Sequence, residues 1–261
     1  MIMDRRAQVT RRYIKEQIER EINGVKQSAR NLPRHIGDAI VNAFERGVNN
    51  AAEAALAVWD TGTDMVGSTV MTVPSALGRR DADWIRENYE FNVEWQNKHH
   101  HFSGSMNAQG HGEFYDGFRM GNTESVTSAY NGCGWIAIYN TGHVLKKPLQ
   151  PAEIILYIEL NGGFTLGGRL GTNPNIIRDY LNSEGINAQM QYMPRYLDKT
   201  IKSSTVSILA YIHGARAHYV TIQYEEGKFK VFNEQETSSV PSVKAWLNEK
   251  GYTVLNLITV Q

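Results

Sequence analysis

Ala217-His218-Tyr219-Val220-Thr221-Ile222-Gln223-Tyr224-Glu225-Glu226-Gly227-Lys228-Phe229-Lys230-Val231-Phe232-Asn233-Glu234 reads as one β-hairpin, and its register organises the reading of the whole chain. Glu226-Gly227 makes a two-residue turn between runs of alternating apolar and polar residues. Residues whose numbers sum to 453 then face each other: Tyr224 with Phe229, Ile222 with Val231 and Val220 with Asn233. Side chains alternate along a strand, so Val220, Ile222, Tyr224, Phe229 and Val231 share a core face, and Thr221, Gln223, Glu225, Lys228 and Lys230 share the other. The apolar row ends in two polar residues, His218 on the first strand and Asn233 on the second, set diagonally within hydrogen-bonding reach. An imidazole and an amide on a core face need partners.

A second stretch, Ala129-Tyr130-Asn131-Gly132-Cys133-Gly134-Trp135-Ile136-Ala137-Ile138-Tyr139-Asn140, offers one. Cys133 is the single cysteine of 261 residues and stands where a turn becomes an apolar helix. Peptide dipoles and unpaired N–H groups at a helix start favour an anion, so a cysteine there is activated by its position. Asn233 can hold the ring of His218 in one orientation and tautomer, which leaves the other ring nitrogen to take a proton from the thiol of Cys133, 85 residues upstream. The competing reading is a satisfied core histidine with an inert buried cysteine. The helix-start context of Cys133 and the shared face of His218 and Asn233 favour the pair. His143 falls at the far end of the Cys133 helix and His213 has no obvious orienting partner, so both read as structural or solvated.

Lys plus Arg and Asp plus Glu number 27 each, which gives no reason to expect a nucleic-acid surface or a channel for acidic substrates. A lone cysteine excludes an internal disulfide framework and a multi-cysteine zinc site, and suits a reducing compartment. His99-His100-His101 and His111 invite a metal reading, but three consecutive side chains cannot converge on one ion and no carboxylate pattern accompanies them. They read as a solvated loop, and neither a metal nor a cofactor is expected. The start, Met1-Ile2-Met3-Asp4-Arg5-Arg6, is charged and no apolar core follows it, so no cleavable signal is expected; the protein is cytoplasmic, or exported by a non-signal route to act in a target cell's cytoplasm. Residues 51–71 come closest to a membrane span, but Glu53, Asp60 and Asp64 interrupt them, so stable membrane insertion is not expected.

Ahead of the two decisive stretches, residues 1–74 read as a helical N-terminal region: Ile14, Ile18, Ile22 and Val25 lie on one helix face, Pro33 breaks the run, and a second helix takes residues 36–59. Residues 75–114 read as a connector with a short helix, in which Gly, Ser, Asn and Pro are scattered through short aromatic pieces such as Trp84 to Trp95. Residues 115–261 form the main domain. In it Gln150-Pro151-Ala152-Glu153 starts a helix that Asn161-Gly162-Gly163 stops, and Thr172-Asn173-Pro174 caps another that ends near Gly185. Strands are predicted over 187–193, 206–212 and 252–260, with a last helix over 241–249. The glycine-rich loop 162–171 lacks the Lys-Ser/Thr of a phosphate loop. Helices first and strands later make an α+β fold.

Asn131-Gly132-Cys133-Gly134-Trp135-Ile136-Ala137, the Gly-Gly and Gly-Thr-Asn-Pro loops, Ala217-His218-Tyr219-Val220 and Val231-Phe232-Asn233 together resemble the papain-like fold in its bacteriocin-processing peptidase branch, over residues 122–261. The resemblance implies a helix carrying the nucleophile packed on an antiparallel sheet, with Cys133 as nucleophile, His218 as base and acid and Asn233 as orienting residue. Such enzymes place a glutamine six residues before the nucleophile to complete the oxyanion hole; here that position is Thr127. The Cys133 N–H then needs another donor, with Asn131 the first candidate and Thr127 the second, although Asn131 reads equally well as a helix N-cap. No transporter segments follow, and a helical region ahead of a small papain-like domain is similar to the toxin domains that bacteria use against competitors.

Three functions are consistent with these residues. The leading one is a cysteine peptidase acting on a protein substrate as an interbacterial toxin or effector, for which a cognate immunity or inhibitor protein is expected. The same triad also supports glutamine deamidation or acyl transfer, and a papain-like domain can be reused for binding without catalysis.

Overall fold

The computed structural model describes residues 82–100, 102–121, 127–163, 171–192, 194–213, 216–234 and 237–261. The helical N-terminal region expected over residues 1–74, with the 51–71 stretch, lies outside them.

The described chain is α+β. It runs α1 (Ala82–Lys98), α2 (Glu113–Asp116), α3 (Ser128–Asn131), α4 (Cys133–Val144), α5 (Pro151–Leu160), α6 (Pro174–Ser183), β1 (Ala188–Tyr192), α7 (Leu197–Lys202), β2 (Val206–His213), β3 (Arg216–Glu225), β4 (Lys228–Phe232), β5 (Ser238–Val240), α8 (Val243–Lys250) and β6 (Thr253–Val260). The strands form one open antiparallel sheet in the order β1-β6-β2-β3-β4-β5.

Local chemistry sets these bounds. Pro151 and Pro174 sit in the first turns of α5 and α6, where a missing N–H costs nothing. The Asn173 side chain caps α6 by accepting from the Asn175 N–H at 3.0 Å. Ser242 caps α8 through the Ala245 N–H at 3.1 Å, and Gly251, at φ +69°, closes it in the left-handed conformation. Ser242 Oγ also donates to Asp198 at 2.6 Å, tying α8 to α7. Ser242→Ala removes both bonds and is expected to lower stability by about 1–2 kcal/mol, read as a shifted urea midpoint at unchanged slope.

The hairpin keeps its expected register, with Tyr224 opposite Phe229, Ile222 opposite Val231 and Thr221 opposite Phe232. Its turn uses positive φ at both Glu226 (51°) and Gly227 (80°), the pair of left-handed residues that matches strand twist. The division of its faces needs correction. Val220, Ile222, Phe229 and Val231 do form a core, with Leu197, Ile201, Val243, Trp246 and Leu247 of α7 and α8. Thr221, assigned to the polar face, is fully buried as well, and its hydroxyl donates to the Ala137 carbonyl of α4 at 2.9 Å. The sheet is therefore covered on both sides where β3 passes α4, and the polar alternation reaches solvent only toward the turn, at Glu225 to Lys228.

The second core lies on that other side. Trp135, Ile136, Ala137 and Ile138 of α4, Ile154, Ile155 and Ile158 of α5, and Ile177 and Leu181 of α6 pack against Ile208, Ile258 and Val260 of the sheet. A helix buried on nearly every side reads as a continuous apolar run, which is what α4 shows. Within the stretch expected as a connector, α1 spans 17 residues and packs on α5. Asn88 Nδ2 donates to Glu159 at 2.7 Å, Tyr89 to Glu153 at 2.6 Å, and Gln96 joins both Gln150 and the Ala152 N–H. The packed body thus begins well ahead of residue 115.

Candidate active site

Cys133 is 5 % exposed and opens α4, and the first bond of that helix's ladder runs from the Ile136 N–H to the Gly132 carbonyl at 3.0 Å. The N–H groups of Cys133, Gly134 and Trp135 precede it, as the first donors of a helix do. The preceding turn is also helical: α3 and Gly132, at φ −76° and ψ −5°, lead almost directly into α4. The glycines flanking Cys133 are required by close packing. A Cβ on Gly132 would lie 2.4 Å from the Ser128 carbonyl oxygen, and one on Gly134 2.4 Å from the Thr172 hydroxyl.

His218, near the start of β3, is partly buried, and Cys133 is near enough to act on its imidazole. The sequence places these residues 85 positions apart, and the fold joins them. Nε2 of His218 lies 2.7 Å from the main-chain carbonyl oxygen of Asn233. A carbonyl only accepts, so Nε2 carries the hydrogen and Nδ1 is left as the nitrogen able to take a proton. Burial alone would push the imidazole's pKa down. The Cys133 contact and charge, the Asn233 carbonyl and the Glu234 carboxylate outweigh it and hold the pKa above its ordinary value.

Asn233 therefore meets His218 as expected, but through its backbone. β4 ends at Phe232, and Asn233 turns out of the strand at φ +70°, which swings its carbonyl toward the ring. Its side chain points elsewhere: Nδ2 donates to the Tyr219 carbonyl at 3.2 Å, and Oδ1 is buried without a hydrogen-bond partner. Pattern reading supplies the strand face of a residue and not its φ, so the main-chain contact was out of its reach. Glycine adopts this φ freely, whereas alanine is strained there by about 1–2 kcal/mol. Asn233→Gly is expected to keep a higher rate of His218-dependent Cys133 alkylation than Asn233→Ala. If the side-chain amide were the orienting group, the two variants would lose equally.

The fold places the two oxyanion candidates differently. Asn131 is buried at the end of α3; the N-cap position of α4 belongs to Gly132 and no side chain caps it, so Asn131 is not the cap. Thr127 is exposed at the N-cap position of α3 and its backbone bridges to Arg119. Neither makes a side-chain hydrogen bond to the Cys133–His218 pair among the described residues. His143 is exposed near the end of α4, where it lines a cavity of about 600 Å³ with His99, His100, Phe102 and Lys146.

The chain matches no family model and no curated protein. The site stands on its own geometry, and that geometry includes residues the sequence reading passed over. Tyr211 of β2 packs edge-on to His218, with ring centroids 5.7 Å apart, and its phenol donates to Glu234. Burial, followed by the nearby Glu234 carboxylate, pushes the Tyr211 pKa up, so it stays a neutral donor. Tyr219 donates to the Thr172 carbonyl at 3.0 Å, tying β3 to the loop before α6. Asn140 was legible in principle: Cys133, Ile136, Ala137 and Asn140 share one helix face, and an asparagine on an apolar face signals a specific partner. Among the described residues, no group of histidine, cysteine and carboxylate side chains could hold a metal ion, and no helix is long and apolar enough to cross a membrane.

Proposed function

We propose that the protein is a papain-like cysteine peptidase acting on a protein substrate, with Cys133 as nucleophile and His218 as base and acid. The observation that carries this reading is a histidine held through one ring nitrogen by the Asn233 carbonyl, with the chain's one cysteine, at the head of a buried helix, near enough to act on its imidazole. The thiol proton passes to His218 as the sulfur bonds to the substrate's carbonyl carbon. The protonated imidazole then gives that proton to the departing amine nitrogen as the C–N bond breaks, leaving a thioester. Water, deprotonated by His218, attacks the thioester and releases the acid and the free thiol. The Cys133 N–H, outside the helical ladder, is one donor to the oxyanion, and buried Asn131 is the first choice for a second, ahead of Thr127.

The cellular role that fits this chemistry is an interbacterial toxin or effector restrained in its producer by an immunity protein. It rests on the architecture expected from sequence: a helical region ahead of a small peptidase domain. The test is to treat bacterial extracts with the wild type and with Cys133→Ala, then measure intact masses. New protein termini made by the wild type alone support peptidase action. A gain of about one mass unit without new termini means deamidation by the same Cys–His pair, an amine adduct means acyl transfer, and identical extracts favour a binding domain.

A further inference from the structure

Residues 105–109 lie in the stretch expected to connect, and consecutive members reach separate walls of the site. Met106 pairs with Asn140 of α4 through two bonds, its N–H donating to Oδ1 and its carbonyl accepting from Nδ2, both at 2.8 Å. Asn107 Oδ1 accepts the Asn233 N–H at 2.8 Å. The Ala108 N–H donates to the Glu234 carbonyl, and Gln109 Nε2 donates to the Ser128 carbonyl of α3 at 3.0 Å. Asn107 is itself fixed: Nδ2 donates to Ser105 at 3.1 Å, and the carbonyl accepts the Tyr115 hydroxyl. Met106 and Asn140 are fully buried.

We infer that residues 105–109 form a positioning strap that sets the distance between the Cys133 helix and the Asn233 carbonyl, with Asn107 and Asn140 as its positioning residues. Asn140 lies two turns from Cys133 on the same helix face, so the strap is anchored to the element that carries the nucleophile. Asn107 grips the N–H of the residue whose carbonyl orients the base. The strap's hydrogen bonds run to the elements that carry nucleophile and base, at Asn140, Asn233 and Ser128. The role in catalysis rests on the peptidase reading, whereas the effect on His218 does not.

The groups facing His218 are Cys133, Tyr211, Glu234 and the Asn233 carbonyl, and Asn107 acts through the last. The experiment compares the full chain with Asn107→Leu, which removes the acceptor, and Asn107→Asp, which keeps it. Two readouts are taken: the pH profile of Cys133 alkylation by iodoacetamide, and the His218 imidazole titration by NMR of histidine-labelled protein. Asn107→Leu is expected to slow His218-dependent alkylation by about ten- to a hundredfold and to lower the His218 pKa, with Asp restoring most of both. A Leu variant that is less stable but keeps the wild-type pH profile and titration overturns the inference. If Leu does not fold, Asn107→Gly makes the same comparison. Failure of both to fold beside a folded Asp variant assigns the strap to stability alone and also overturns it. Wild-type alkylation indifferent to His218→Ala would sink the peptidase reading, and the strap would then be judged by the titration. Alkylation that depends on His218 but not on Asn107 sinks the strap alone.

Discussion

On the proposed peptidase mechanism, hydrolysis of a protein substrate by His218→Ala is expected to fall by roughly 10³-fold or more, with Cys133 still buried at the head of its helix and the fold intact. That mechanism gives the imidazole two roles, taking the thiol proton and later delivering one to the leaving nitrogen, and the variant loses both. The measurement is single-turnover cleavage, because it separates the chemical step from product release. A fall of less than tenfold would remove His218 from the chemistry. The same variant has a pH signature in stability. The folded protein holds the His218 pKa above its unfolded value, so it binds this proton more tightly than the unfolded chain does. The stabilisation is fully present below the unfolded pKa, near 6.5. It is lost as pH rises through the raised folded value. The difference in urea midpoint between wild type and His218→Ala, wild type being the more stable, is therefore expected to be largest in mild acid and to shrink at alkaline pH.

Trp135→Ala is expected to cost about 3–5 kcal/mol, the range for deleting a fully buried aromatic. Trp135 has no exposed surface, its ring lies 5.2 Å from that of Phe118, and its Nε1–H donates to Ser128 Oγ at 2.9 Å. Removing it opens a cavity beside Phe118 and leaves the buried Ser128 hydroxyl without its donor. For a domain of marginal stability this is a large share of the whole, so the variant is expected to be mostly unfolded in mild denaturant. Denaturant titration followed by far-UV circular dichroism checks it. Trp135→Phe, which keeps the ring contact and loses the hydrogen bond, is expected to recover most of the loss.

The parts of this molecule that could be read from sequence are those ruled by short-range chemistry. Pro151 and Asn173 mark helix starts because capping and φ preference act within a few residues, and the Glu226-Gly227 turn fixes the hairpin register for the same reason. The meeting of His218 and Asn233 at the end of an apolar row was legible in outline, though not that the Asn233 main chain would make it. The burial of Thr221 was not, because alternation along one strand says nothing about what covers its far face. The strap was hidden for a related reason: Met106, Asn107 and Gln109 gain their meaning from Asn140, Asn233 and Ser128, partners supplied by tertiary packing.

The strand order carries a consequence for synthesis. β6, residues 253–260, is inserted between β1 and β2, although β2 leads directly into the strand that bears His218. While the chain is being made, β2 has a vacant edge until residue 260 has left the ribosome, some 47 residues after β2 itself is complete. At about 5–20 residues per second that interval lasts a few seconds, during which Cys133 and His218 already exist but the sheet that carries His218 and backs the Cys133 helix is incomplete. A ribosome-stalled chain ending at residue 250, which lacks β6, is therefore expected to show none of the His218-dependent alkylation expected of the full 261-residue chain.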